Sequence, residues 1–343
     1  MHFIIMSRKA AGLFLSLSAL LFALPISGCV VPSGTSGGSG VIIENFEVDF
    51  PRVYAGEKFQ LQMKIRNTGS VDALNVYPKL YNIQTTLQGS KFDVSCEETC
   101  TTGVNLLAPD PERGTEGESR TCIWNCQAPK EIPKGLSVTF NPSVRLYYWY
   151  GTNTIKSINI ASQDELRSLQ SRGGALPSET ISTTQGPVSL DIVVNGPIRY
   201  WEDESKIRFP ININIQNVGG GVSCVTEDIT IPIPMGIYAP SFNYVTLISG
   251  CELSDNWDKV AIFFNGGDVG TIRVSNCDIS QDPGTKVIVD LWKGQSKTIT
   301  CELEMDVPRT SAGILQKNLN FDLSYAYFVD ATVSLEVIGS DMQ

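Results

Sequence analysis

The chain has 343 residues, 42% of them hydrophobic and 18% charged, which is long enough and apolar enough for two domains with cores of their own. A formal net charge of −10 repels polyanions and excludes nucleic acid as a partner. The single histidine, His2, stands at the extreme N-terminus, so the rest of the chain has no Ser-His-Asp or Cys-His nucleophile pair and no histidine-bearing metal site.

Arg8 and Lys9 precede an apolar stretch from Ala10 to Leu24, and Leu24-Pro25-Ile26-Ser27-Gly28-Cys29 closes it. A basic start, a short apolar segment and small residues before a cleavage point describe a secretory signal over residues 1–28. Its apolar run of about 15 residues falls short of the roughly 20 that a spanning helix needs. The small pair before Cys29 resembles a lipobox, whose thiol receives a diacylglycerol; the alternative is an ordinary signal with an incidental cysteine. Cleavage would remove Arg8 and Lys9 and take the net charge from −10 to −12. Residues 29–40 carry the run VVPSGTSGGSG, a flexible Gly/Ser tether with a reach on the order of 18 Å. Two or three acyl chains on Cys29 would hold such a protein stably at a membrane.

Beyond the tether the hydrophobic period is two. Phe59, Leu61, Met63 and Ile65 alternate with polar residues, as do Ile207, Phe209, Ile211, Ile213 and Ile215, and both runs predict half-buried strands. Each is followed by a turn, Asn67-Thr68-Gly69 or Asn217-Val218-Gly219, where Asn and Gly suit positive φ. Pro210 has no N–H to donate, which predicts an edge or a bulge.

Eight cysteines follow Cys29, at 96, 100, 122, 126, 224, 251, 277 and 301. Outside the cytoplasm an even count predicts disulfides. A hairpin centred near Pro111 would place Cys96 opposite Cys126 and Cys100 opposite Cys122. The same four thiols can hold a zinc ion, a reading that oxidation opposes; no metal site is assigned. On the strand from Val144 to Tyr150, Arg145, Tyr147 and Trp149 share one face. They are the candidate partner-binding residues for a protein or glycan, unless the linker or the second half covers them.

Ser162-Gln163-Asp164-Glu165 is a capping box that predicts a short helix to about Ser171, stopped by Gly173-Gly174; the alternative is flexible linker throughout. Ala175 to Pro187 reads as linker. Acidic clusters at Asp110, Glu112, Glu116 and Glu118, at Glu202–Glu204, and at Asp255 with Asp258 could bind calcium, but none has an EF-hand spacing and such runs are usually solvated.

The two halves match. Thr121-Cys122, Pro129 and the tyrosines near Tyr148 parallel Thr300-Cys301, Pro308 and Tyr325-Ala326-Tyr327-Phe328, with an insertion in the second copy near residues 241–270. This match suggests Cys277 with Cys301 and leaves Cys224 with Cys251. Met63–Gly69 followed by Ala73–Tyr77, with Gly117-Glu118-Ser119 and Gly294-Gln295-Ser296 farther on, resembles the strand, N-T-G, strand core and G-[EQ]-S step of CARDB-type domains. These are immunoglobulin-like β-sandwiches of bacterial and archaeal surface proteins. Val218 departs from the N-T-G pattern, and disulfides are not general in that family. The resemblance implies an all-β chain of two tandem immunoglobulin-like β-sandwiches, at 41–160 and 188–343, joined by a short helix and linker at 161–187. It implies adhesion, scaffolding or envelope organisation and carries over no catalytic residue and no cofactor. The expected role is that of a lipid-anchored, extracytoplasmic, non-enzymatic surface protein. The alternatives are a subunit of a filament joined by strand addition and, last, a carboxylate-dependent glycan hydrolase.

Overall fold

The computed structural model describes residues 40–87, 89–100, 103–201, 203–223, 247–248, 260–265, 273–277, 287–288, 291, 293–307 and 313–340. All of them belong to one compact unit, Gly37–Gln343. Among them the structure is β throughout except for one helix, as the period-two patterning predicts.

The first half opens with β1 (Val41–Val48), β2 (Arg52–Tyr54) and β3 (Lys58–Asn67). It continues with β4 (Ala73–Tyr81), a hairpin of β5 (Gln84–Leu87) and β6 (Ser90–Asp93), then β7 (Ser95–Glu98), β8 (Val104–Leu106) and β9 (Ser119–Gln127). It closes with β10 (Ser137–Phe140) and the 20-residue β11 (Ser143–Ser162). On β3, Phe59, Leu61, Met63 and Ile65 are buried while Lys58, Gln60 and Gln62 are exposed. The sheet β1-β3-β9-β7 sends these side chains, with Trp124 of β9, into a core shared with Leu146 and Tyr148 of β11.

Next comes α1 (Gln163–Ser171), followed by β12 (Ile181–Thr183), β13 (Val188–Val194), β14 (Ile198–Tyr200), β15 (Lys206–Asn217) and β16 (Leu247–Ile248). The second half ends with β17 (Val260–Asn265), β18 (Arg273–Cys277), β19 (Val287–Ile288), β20 (Ser296–Asp306), the 19-residue β21 (Ile314–Thr332) and β22 (Leu335–Ile338). The sheet β13-β15-β20-β18 repeats the order of the first four-stranded sheet.

One central sheet joins the halves in the order β8-β4-β11-β21-β17. β11 and β21 pair antiparallel without interruption from Ser143↔Thr332 to Ala161↔Ile314. Twenty residues of strand extend roughly 65 Å, more than three times a common strand, so such a strand must serve more than one core. Its far end, Ile160–Ser162, pairs in parallel with β14 of the second half. In return β22 lies between β2, parallel, and β10, antiparallel, in the first half, where Leu335 and Val337 are fully buried. Each half therefore lends a strand end to the other, and β11 runs past residue 160.

Four local expectations meet a different structure. Cys96 and Cys126 do face each other in β7 and β9, but the intervening chain is no hairpin; it crosses to the central sheet as β8, drawn there by buried Leu106. Gly69 and Gly219 do not have positive φ. They are glycines because a Cβ would lie 2.0 Å from the Tyr150 hydroxyl in one turn and 2.3 Å from that of Tyr327 in the other. The strand carrying Pro210 is interior to its sheet, yet β13 ends opposite Ile211, so the missing N–H falls just past that neighbour. Finally, the segment after α1 is zipped to β11 by β12 and by Thr180 and Thr184.

The helix keeps half of its capping box. The Glu165 amide donates to Ser162 Oγ at 3.2 Å, while the Glu165 carboxylate turns to Arg172. Gly173 at φ +66° ends it, and Leu166 is its buried residue.

Candidate functional site

The candidate strand face is interior. Tyr147 and Trp149 are 2% and 3% exposed, packed with Ala326, Phe328, Leu74, Tyr77 and Val222. Arg145 is turned inward as well. Its guanidinium makes a two-pronged pair with Asp330 at 2.7 and 2.8 Å and lies 4.0 Å from the centroid of Phe328. Hydrogen bonding to Asp330 pushes its pKa above the ordinary arginine value despite burial. Trp149 Nε1 is buried with no hydrogen-bond partner. These three residues are brought together, but as packing with neighbouring side chains of β4 and β21 and with Val222 rather than as a free recognition surface.

The opposite face of the same strands holds four buried tyrosines, Tyr148, Tyr150, Tyr325 and Tyr327, with ring centroids 5.7–6.3 Å apart. Tyr148 pairs with Tyr327 and Tyr150 with Tyr325, on either side of the Trp149↔Ala326 pair. Their hydroxyls hold the chain where each half begins. Tyr148 donates to Val41 O, and the Val188 amide donates to Tyr325. Burial raises all four pKa values, to about 12 for Tyr150 and Tyr327. Such groups stay protonated at any physiological pH and serve as fixed hydrogen-bonding posts, not proton carriers.

Beside the tyrosines, one hydrogen-bond network forms twice. Asn67, fully buried, donates through Nδ2 to Val71 O at 2.8 Å and Leu106 O at 2.9 Å, and accepts from the Gly69 amide at 3.1 Å. Asn217 donates to Gly221 O and Leu291 O at 3.0 and 2.9 Å and accepts from Gly219 at 3.1 Å. The backbone N–H of each asparagine donates to the carbonyl of Glu118 or Gln295, so the two short motifs quoted for the CARDB resemblance touch each other in both halves. Val71 donates to the Tyr150 hydroxyl and Gly221 to that of Tyr327.

A second paired feature escaped the sequence reading. Tyr54 N donates to the Glu57 carboxylate while Glu57 N returns to Tyr54 O, and Trp201 with Glu204 closes the same turn. Both aromatics are 52% exposed. The signal was available as Arg52-x-Tyr54-x-x-Glu57 against Arg199-x-Trp201-x-x-Glu204.

The acidic loop spends its charge locally. Glu116 pairs with Arg66, Glu118 with Arg120 and Asp110 with Arg113. Glu44 is held below the usual carboxylate range, first by Lys64 and then by Arg66. No group of metal-ligating side chains occurs among the described residues.

Cys96 is bonded to Cys126 and Cys100 to Cys122, the pairing that the spacing predicts. Cys301 is disulfide-bonded and stands opposite Cys277 in the β18–β20 register. Cys224, Cys251 and Cys29 lie outside the described residues, as do Asp255 and Asp258. The disulfides point to an extracytoplasmic location. No helix among the described residues is long and apolar enough to cross a membrane.

No family model matches the chain, and no curated relative does. Among solved structures, the crystal structure of the CupB6 tip adhesin from Pseudomonas aeruginosa aligns over 88% of this chain and 97% of that one, at 9% identity and a TM-score of 0.15. A likeness that slight carries no argument about fold or function.

Proposed function

We propose that the chain is a lipid-anchored, extracytoplasmic, non-enzymatic surface protein whose two duplicated immunoglobulin-like halves, of the CARDB type, form one stiff body for adhesion or envelope organisation. The observation that carries this reading is the twice-built asparagine and tyrosine network around the shared β11–β21 pair. Two matching networks, disposed about one strand pair and closed by exchanged strand ends, are what duplication of a sandwich module leaves behind. Disulfides pinning a short edge strand suit a protein that works outside the cell. The buried titratable groups support a structural role, since their pKa values are displaced away from the range that proton transfer at neutral pH needs.

Gly40, the first described residue, is fixed locally: its carbonyl accepts from Thr68 N, and Pro187 and the Tyr148 hydroxyl lie beside it.

The test is fractionation of cells expressing the natural sequence and Cys29→Ser. The natural chain is expected in the membrane fraction and accessible to protease added outside, with the variant released. Equal partition of both chains would overturn the anchor; retention of both in the cytoplasm would overturn the compartment.

A further inference from the structure

The matched turns differ in one respect. Arg52 pairs with Glu336 at 2.8 Å on the exchanged strand β22. The residue opposite Arg52 is Glu336, whereas the residue opposite Arg199 in the β11–β14 register is Ala161, which carries no charge. Arg199, the counterpart of Arg52, forms no ion pair with any described residue. The halves also diverge in space at this point, because α1 follows β11 here. Between α1 and the β13–β14 turn lies a half-open cavity of about 400 Å³, with Gln170, Asn195, Pro197 and Arg199 exposed at its rim.

The cavity is amphipathic. Leu166, Leu169, Leu176 and Pro197 supply its apolar wall. Arg199 joins Gln163, Gln170 and Asn195 as its polar lining, and none of these four side chains bonds to a described residue. The two acids of α1 are already engaged, Asp164 with Arg167 and Glu165 with Arg172, so they leave the arginine's field uncancelled. A volume of this size falls within the range of small-molecule sites, and a guanidinium beside idle amide donors matches a carboxylate head.

We infer that this cavity binds a short aliphatic carboxylate, its head on Arg199 and its tail against the leucines of α1 and Leu176. The duplication behind the proposed function supplies the comparison with Arg52, but the site stands on the cavity itself. Its failure would leave the anchoring and the shared sheet untouched.

The experiment is titration of the full chain with octanoate, followed by leucine methyl NMR shifts, with octanol and acetate as separate probes. Saturable octanoate binding is expected, with octanol and acetate each at least tenfold weaker. Arg199→Gln should weaken octanoate at least tenfold, Leu169→Glu should abolish it, and Arg52→Gln should leave it unchanged. Both Arg199 and Leu169 lie outside the buried core, so folding is checked by the unshifted methyl spectrum of the remaining leucines. No saturable shift with octanoate, equal affinity for octanol, or binding indifferent to Arg199→Gln with Leu169→Glu would overturn the assignment.

Discussion

Asn67 and Asn217 show how much one buried amide can organise. Each satisfies two carbonyls and one N–H that would otherwise be stranded in the core. Asn67→Ala should cost about 3 kcal/mol or more in urea unfolding, because each stranded polar group costs roughly 1–3 kcal/mol. Asn67→Asp should cost at least as much, since a carboxylate would face two carbonyls. Gly69→Ala should be severe for a steric reason, the Tyr150 hydroxyl at 2.0 Å, and Tyr150→Phe should recover part of the loss in the double variant. The sequence showed that Asn and Gly belonged at these positions but suggested the wrong cause. Chain reversal is a local property, whereas a hub and a close approach to a tyrosine about 80 residues away depend on tertiary packing.

The same residue scale sets an alkaline limit. Tyr150 and Tyr327 have folded pKa values of about 12, against an ordinary value near 10 in an unfolded chain. Between those values the unfolded state loses protons that the folded state retains, so stability is full below pH ~10 and falls as pH rises toward 12. The loss should be roughly 2–3 kcal/mol per tyrosine across that window. Tyrosinate absorbance at 295 nm should rise for these groups only as circular dichroism reports unfolding; ionisation before unfolding would refute their role as fixed posts.

At the scale of elements, the strands were legible because a half-buried sheet writes its period into the sequence. β3 and β15 follow the alternation closely. The face of β11 was not legible in the same way. Alternation separates Tyr147 and Trp149 from Tyr148 and Tyr150, but it cannot say that both faces are covered, and here both are. Trp149→Ala should therefore cost about 3–5 kcal/mol as a core truncation. Tyr54→Ala and Trp201→Ala, on exposed turns, should stay within about 0.5 kcal/mol in the same assay. The cysteine ladder was legible from spacing, yet the path between its rungs was not, since β8 leaves the sheet to find a buried place for Leu106. Opening Cys100–Cys122 by paired serines should cost roughly 3 kcal/mol on loop-closure grounds in a chain lacking Cys96–Cys126, and less in the intact chain, because the loops are nested and the outer bond already holds the inner ends together. Edges are blunted too. Thr152 and Thr154 hydroxyls occupy the Val188 and Leu190 carbonyls of edge strand β13, and a bulge near Glu44 breaks β1, which argues against growth by strand addition.

For the whole molecule, the sequence suggested two matching halves but gave no sign of the strand ends exchanged between β11 and β14 and between β22, β2 and β10. Nothing local in Leu335-Glu336-Val337-Ile338 says that it belongs with β2 and β10, both far away in the sequence. A chain ending after Thr332 should lose hydrogen-exchange protection in β2 and β10, in the first half of the sequence, before it loses protection in β20. Frayed protection confined to the last residues would deny the exchange. Because β11 and β21 run through both halves, thermal unfolding should also be a single calorimetric transition with the disulfides intact.

The most direct test of an anchored, disulfide-locked surface body is intact mass with membrane partition, measured on protein from a host that processes lipoproteins, before and after reduction. The account predicts a chain that begins at Cys29, carries a lipid-sized increment, partitions with membrane and gains eight hydrogens when its eight remaining cysteines are reduced. A water-soluble chain with an unmodified Cys29 and free thiols before reduction would contradict it.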